Sequence, residues 1–251
     1  MATIGIMDSG VGGLSVLKEI LRLLPDGKYI YYADNANCPY GEKSPEFIQE
    51  RCRSITEMML ARGARAMVLA CNTATAAAVQ TLRSEYGIPF IGMEPAVKPA
   101  AKMTRSGVVG VLATAGTLKG LKYLNTKSRF EGDVKIVERV GRGFVELVES
   151  GELTGPHAEA TVAESLRPLL DEGADTVVLG CTHYPFLLET LQKVAGPEVQ
   201  FIDPAPAVAR RLEEVMKEHG IPLGDANPGI ELFSSGSPDA LTKTFSLISG
   251  Q

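Results

Sequence analysis

Met67-Val68-Leu69-Ala70-Cys71 returns as Val177-Val178-Leu179-Gly180-Cys181, with residue 177 answering to residue 67 at an offset of 110 (177 − 67). Each stretch is a continuous apolar run that ends on a cysteine and is followed by small polar residues, Asn72-Thr73 in one copy and Thr182-His183 in the other. A short apolar run without alternation reads as a strand buried on both faces, the pattern of a parallel sheet. Two further matches fall in the same order. Ile4-Gly5-Ile6-Met7 answers to Val109-Gly110-Val111-Leu112, offset 105 (109 − 4). Phe90-Ile91 with Pro95-Ala96-Val97 answers to Phe201-Ile202 with Pro206-Ala207-Val208, offset 111 (201 − 90). Three ordered matches at nearly one offset predict two related α/β halves that begin near residues 1 and 100. Two copies are too few for a solenoid.

Outward from these runs, apolar strands alternate with amphipathic stretches. The pattern predicts strands over 3–7, 29–33, 66–70, 88–92, 107–113, 176–180 and 199–202. Helices are expected over 12–24, 45–62, 73–86 and 144–150, the second opened by Ser44 as N-cap and Pro45 at its first position. The expected architecture is α/β, with two pseudo-symmetric doubly wound domains, mainly parallel sheets and a site between them. Residues 1–97 plus 208–251 form the first domain and 98–207 the second. Ligands of such sheets sit beyond the carboxyl ends of the strands, so Cys71 and Cys181 are expected to face each other across the interdomain cleft.

Composition narrows the function. The chain has 251 residues, 45% of them hydrophobic and 22% charged, and needs no staple to hold its core. Thirty acidic residues against 25 basic ones give a net charge of −5, which argues against a nucleic-acid partner held by phosphate neutralisation. No apolar run approaches the roughly 20 residues of a membrane span. The opening MATIGIMDSG lacks a basic n-region, so no signal peptide is expected. Cysteines 38, 52, 71 and 181 match neither a disulfide framework nor a CxxC metal pattern, and a reducing cytoplasm follows as the default compartment.

The strand ends carry the chemistry. A helix N-terminus offers free N–H groups and partial positive charge, which favour a bound carboxylate and lower a thiol pKa. Polar residues after each cysteine can cap the next helix. Two buried structural thiols are the bland alternative; the repeat-equivalent positions weigh against it. Asp8-Ser9-Gly10-Val11-Gly12-Gly13 follows the first strand, and Asp34 ends the second, as in a dinucleotide fingerprint. Ser15 stands where that motif needs its third glycine, and Asp8 would set a carboxylate near phosphates. His183, two residues after Cys181, is a candidate base partner, whereas His157 and His219 lie in charged, solvated surroundings. Zinc on Cys71, Cys181 and His183 lacks any short-spaced pair of ligands, and no metal is expected. Cys52 reads as packing, Cys38 as a loop residue, and Glu149 as an exposed residue at the end of a helix.

Four blocks resemble the signature of the glutamate racemase family. They are Asp8-Ser9-Gly10-Val11-Gly12-Gly13-Leu14-Ser15-Val16, Pro39-Tyr40-Gly41-Glu42-Lys43-Ser44, Ala70-Cys71-Asn72-Thr73-Ala74 and Gly180-Cys181-Thr182-His183-Tyr184-Pro185-Phe186. They come in the family's order and span essentially the whole chain. The resemblance implies cofactor-independent interconversion of L- and D-glutamate, supplying D-glutamate for peptidoglycan. It implies Cys71 and Cys181 as the acid/base pair, with Asp8 assisting the first and His183 the second. The family's assisting glutamate corresponds to Glu149, although Gly141-Arg142-Gly143 stands here where the family usually has a Cys-Pro run. Substrate contacts would fall on Asp8, Ser9, Tyr40, Gly41, Asn72, Thr73, Thr182 and His183. A small-molecule substrate and a homodimer are expected, with no cofactor and no membrane or nucleic-acid partner. Racemisation of a related acidic amino acid such as aspartate, or a non-catalytic clamp for a dicarboxylate, are the competing functions.

Overall fold

The computed structural model describes residues 2–222, 224 and 227–249. Its first half runs β1 (Thr3–Asp8), α1 (Leu14–Leu23), β2 (Lys28–Ala33), α2 (Pro45–Ala61), β3 (Ala64–Leu69), α3 (Asn72–Glu85), β4 (Phe90–Gly92) and α4 (Val97–Met103). The second runs β5 (Val108–Ala113), α5 (Ala115–Leu118), α6 (Leu121–Ser128), β6 (Lys135–Val140), α7 (Phe144–Ser150), α8 (Pro156–Asp171), β7 (Thr176–Gly180), α9 (Leu188–Ala195) and β8 (Gln200–Ile202). Then come α10 (Ala205–Glu218), β9 (Gly229–Ser234) and α11 (Pro238–Ser249). Among the described residues no helix is long and apolar enough to cross a membrane.

The strands form two sheets, ordered β4-β3-β1-β2-β9 and β6-β5-β7-β8, and every pairing is parallel. Read from its other edge, the second sheet is β8-β7-β5-β6, the same winding as β4-β3-β1-β2. The matched sequence runs lie on these equivalent strands: β1 with β5, β3 with β7, β4 with β8. β9 extends the first sheet beside β2, Ile230 in register with Tyr29, and α10 packs on α1.

Helices cover both faces, which is why the central strands carry continuous apolar runs, with Arg65 of β3 the exposed exception. On one face Ile6 and Tyr31 of the first sheet and Val16 and Leu17 of α1 belong to a cluster that continues into Leu179 of the second sheet, Val162 and Leu166 of α8 and Leu191 of α9. On the other face Met7, Met67 and Leu69 pack under Ile48, Ile55 and Met59 of α2. A third cluster joins Val97 and Ala100 of α4 to Val109, Val111 and Val178.

Boundaries differ from the sequence pattern where turns intervene. α1 begins at Leu14 rather than at residue 12, because Val11, Gly12 and Gly13 supply the carbonyls that take the first helical N–H groups, those of Leu14, Ser15 and Val16. α3 starts one residue earlier than expected, at Asn72, and its N-cap is Cys71 itself, whose Sγ accepts from the Ala74 amide at 3.4 Å. Neither Asn72 nor Thr73 is the cap. Cys181 is followed by a 3-10 turn, Tyr184–Leu187, before α9. Strands β6 and β9 lie outside the sequence pattern; they are sheet edges with exposed polar positions.

Candidate active site

Parallel winding sends the carboxyl ends of β1, β3, β5 and β7 to one side of each sheet, and the polar residues that follow them meet there. The two halves are stitched together by buried and partly buried polar contacts. Thr182 Oγ1 donates to Asp8 Oδ1 at 3.1 Å, and Ser15 Oγ donates to the Thr182 carbonyl at 3.0 Å. The Val11 amide donates to Glu149 Oε1 at 2.8 Å, and Asn35 Nδ2 to Glu149 Oε2 at 2.8 Å. Thr73 Oγ1 and Thr114 Oγ1 are 2.8 Å apart, with Thr117 Oγ1 2.9 Å beyond Thr114.

Both cysteines are free and buried in this seam, 5% and 6% exposed. Cys71 Sγ donates to Ser9 Oγ at 3.7 Å. Burial pushes its thiol up to about 12, and the neighbouring Asp8 adds to the effect. Cys71 therefore rests as the protonated thiol at neutral pH. Asp8 is also fully buried, which raises its carboxyl; His183, the Gly10 and Gly13 amides and Thr182 oppose that rise without cancelling it.

Cys181 has a different partner. Its Sγ is 3.8 Å from His183 Nδ1, and the other ring nitrogen, Nε2, is 2.7 Å from Glu149 Oε1. Burial alone would lower the imidazole pKa. Cys181, Cys38 and Glu149 outweigh it and hold His183 protonated well above its ordinary range. Glu149 is the reciprocal case: burial would raise it, yet His183, the Val11 amide and Asn35 keep it below the usual carboxylate range. The pair is an imidazolium and a carboxylate, with a positive edge turned to Cys181. Glu149 is thus not the exposed helix-end residue that its sequence suggested; its side chain is 21% exposed.

The glycines of the first loop serve this pair. A Cβ on Gly10 would collide with the Glu149 carboxylate, and one on Gly12 would lie 2.3 Å from His183 Nδ1. The space over the loop that a dinucleotide phosphate would need holds the protein's own side chains. Asp34, the would-be ribose ligand, is fully buried and takes two bonds of 2.9 Å from Arg51 and one of 2.6 Å from the Tyr40 hydroxyl. The dinucleotide reading therefore has no open site here. The Tyr40 hydroxyl is committed to Asp34.

Asn72 has the opposite property. It is 3% exposed, and both its Oδ1 and its Nδ2 are buried without a hydrogen-bond partner. An unpaired buried polar atom costs about 1–3 kcal/mol. A ligand that brings both a donor and an acceptor would satisfy the amide, and an amino acid does so with its ammonium and carboxylate. The N–H groups of Asn72 and Thr73 open α3, where no intrahelical acceptor exists.

Sequence reasoning missed several members. Thr114 was legible through the repeat, since the 105-residue offset that pairs β1 with β5 carries Ser9 onto it (9 + 105). Asn35 and the Val11 amide have no such signal. Cys38, read as an ordinary loop residue, lies 3.8 Å from Glu149 Oε1. His157 is 70% exposed and pairs with Glu152, and His219 is exposed, so neither joins the site. Cys52 is buried within α2.

Arg51 tests the scaffold. Arg51→Ala would strand the Asp34 carboxylate and is expected to cost about 3 kcal/mol in chemical denaturation. Burial would raise the Asp34 carboxyl, but Arg51, Tyr40, Ser235 and Asn37 bring it below its ordinary value. A depressed folded-state pKa gives stability that is present above about pH 4 and lost as pH falls further. The gap between wild type and variant should therefore close in acid. An unchanged gap at pH 3 would contradict this origin.

The family model described as Asp/Glu/Hydantoin racemase matches residues 4–212. The chain is 49% identical over 251 residues to a glutamate racemase of Ectopseudomonas mendocina, covering 100% of this chain and 95% of that one. It is 46% identical over 250 residues to the glutamate racemase of Pseudomonas aeruginosa, covering 99% and 94%. Among solved structures it is similar to glutamate racemase RacE1 of Bacillus anthracis, with a TM-score of 0.89 and 34% identity over 100% of this chain and 94% of that one. It also resembles Escherichia coli glutamate racemase in complex with L-glutamate and the activator UDP-MurNAc-Ala, with a TM-score of 0.88 and 37% identity over 99% and 94%.

Proposed function

The chain belongs to the Asp/Glu/hydantoin racemase family, and from that premise we propose that it interconverts L- and D-glutamate without a cofactor, using Cys71 and Cys181 as opposed acid and base. The observation that carries this reading is the pair of buried cysteines at repeat-equivalent strand ends, each with a different charged partner. Racemisation removes a proton from one face of Cα and returns one to the other. One group must therefore start as thiolate and the other as thiol. The asymmetry of their surroundings supports such a start: Cys71 is held as a thiol by burial and by Asp8, while Cys181 faces the His183–Glu149 pair.

The Cα–H of an amino acid is a weak acid, so the harder task is to stabilise the carbanion. Without an electron sink, the charge developing on the substrate carboxylate must be met by fixed donors in a water-poor site. The first amides of α3, the Asn72 side chain, Ser9, Thr73 and Thr182 are the candidates for that role, with Asp8, His183 and the Tyr40–Gly41 backbone completing the binding surface. Residues 1–97 with 208–251 act as one jaw and 98–207 as the other, a division that the pairing of β9 with β2 supports. The proposed setting is the cytoplasm, where a homodimer would supply D-glutamate for peptidoglycan.

Two measurements test this. In D2O, with no pyridoxal phosphate, L-glutamate should yield D-glutamate that carries deuterium at Cα, and L-aspartate should react far more slowly. Dependence on an added cofactor, or equal turnover of aspartate, would refute the assignment. Asn72→Ala should raise KM for glutamate by about tenfold or more, because a hydrogen bond to a charged group is worth about 1.5–3 kcal/mol. The melting temperature should not fall, since the substitution removes atoms that are unpaired in the free protein.

A further inference from the structure

Cys38 is the residue that the proposed reaction leaves without a role, and its position is not that of a bystander. It follows the 3-10 turn Asn35–Asn37. Its Sγ, a carboxylate oxygen of Glu149 and an imidazole nitrogen of His183 all lie within 4.8 Å of one another, and theirs is the one such group among the described residues. They come from three separate segments of the chain, brought together by the seam between the two sheets. Thiolate, imidazole and carboxylate together are a donor set suited to zinc and related thiophilic cations.

The spacing fits as well as the chemistry. Tetrahedral zinc with bonds of 2.0–2.3 Å sets its donors about 3.3–3.7 Å apart. Cys38 Sγ to Glu149 Oε1 is 3.8 Å, about 0.1 Å above that range. His183 Nε2 to Glu149 Oε1 is 2.7 Å, the length of a hydrogen bond. A cation there would replace the shared proton and open this pair by about 0.6 Å. Glu149 itself lines a cleft of about 180 Å³, together with Ser150, Phe186 and Lys243.

We propose that Cys38, His183 and Glu149 form an inhibitory site for a thiophilic divalent cation, with a fourth coordination position left for water or a substrate carboxylate. Binding exchanges the Cys38 thiol proton and the His183 Nε2 proton for the metal, and both protons leave to solvent. The metal then holds the imidazole that faces Cys181 and breaks its bond to Glu149. Racemisation stops although neither Cys71 nor Cys181 has been touched. The site is distinct from the acid/base pair and reports on it only through His183.

The test uses the purified, chelator-washed protein. Cobalt(II) should produce a thiolate-to-metal charge-transfer band together with visible bands of tetrahedral intensity. Cys38→Ser should abolish the charge-transfer band, and Cys71→Ser and Cys181→Ser should retain it. Zinc chloride should inhibit the wild type reversibly, with chelator restoring activity, and Cys38→Ser should need at least about tenfold more zinc for half-inhibition. A charge-transfer band that survives in Cys38→Ser but disappears in Cys181→Ser would overturn the site, and so would the absence of any band. The spectra do not depend on turnover. They decide the matter even if Cys38→Ser is inactive, and their failure is separable from failure of the racemase assignment, on which the inhibition assay alone rests.

Discussion

Replacing either Cys71 or Cys181 with serine is expected to lower racemisation by about 10²–10⁴-fold, the usual contribution of a positioned acid or base, with the fold intact. A serine hydroxyl is too weak an acid to exist as the alkoxide that the reaction would then require. Stability should hold because the change is small and, at Cys71, the cap of α3 survives: serine accepts helix N–H groups well. The two enantiomers have equal energy in an achiral solvent, so kcat/KM must fall equally in both directions in each variant. The variants should nevertheless differ in isotope exchange. Each keeps the base for one face of Cα, so in D2O Cys71→Ser should wash deuterium into one enantiomer and Cys181→Ser into the other, neither forming the opposite hand. If either variant racemised within tenfold of wild type, or if both exchanged the same enantiomer, the sulfurs would not be the opposed pair.

Much of this arrangement could be read from the sequence because the determinants are local. Strands β1, β3, β5 and β7 are buried on both faces over most of their length, so each carries an apolar run, residues 4–7, 66–69, 109–113 and 177–179, and the duplicated winding writes the same run twice. Edge strands leave no such mark. β6 is Lys135-Ile136-Val137-Glu138-Arg139-Val140, with partly exposed residues along its length, and β9 alternates Gly229-Ile230-Glu231-Leu232. α8 was hidden by Pro156 and Pro168, one opening the helix and one inside it. The cysteines and His183 were legible because they follow such strands. Glu149 was not: nothing in Phe144-Val145-Glu146-Leu147-Val148-Glu149 says which acidic residue turns inward. That is decided 138 residues away, by the Val11 amide. A polar residue used across a domain seam carries its reason in the other domain.

Gly12→Ala tests that seam directly. The residue is in the first half of the chain, 171 positions (183 − 12) before the imidazole it would strike, and its φ is not in the left-handed region, so alanine would bring no backbone strain. The added methyl would stand 2.3 Å from His183 Nδ1 and 2.6 Å from two ring carbons. The imidazole is 1% exposed, with Cys181 on one side and Glu149 on the other, and has nowhere to retreat. The ring must shift by about 1 Å or the first loop must move. A displacement of that size at a reacting centre costs about 10²-fold in rate, and the overpacking costs about 1–3 kcal/mol of stability. Gly63→Ala is the control. Gly63 adopts φ +86, and no atom lies within 4 Å of the place its Cβ would take, so alanine there should cost about 1–2 kcal/mol through backbone conformation alone and leave turnover as it was. The signature of the seam is therefore a loss of kcat in Gly12→Ala that Gly63→Ala does not share at matched stability. Wild-type kcat in Gly12→Ala would mean that His183 does not need its present place beside Cys181, and its role as the partner of that thiol would have to be given up.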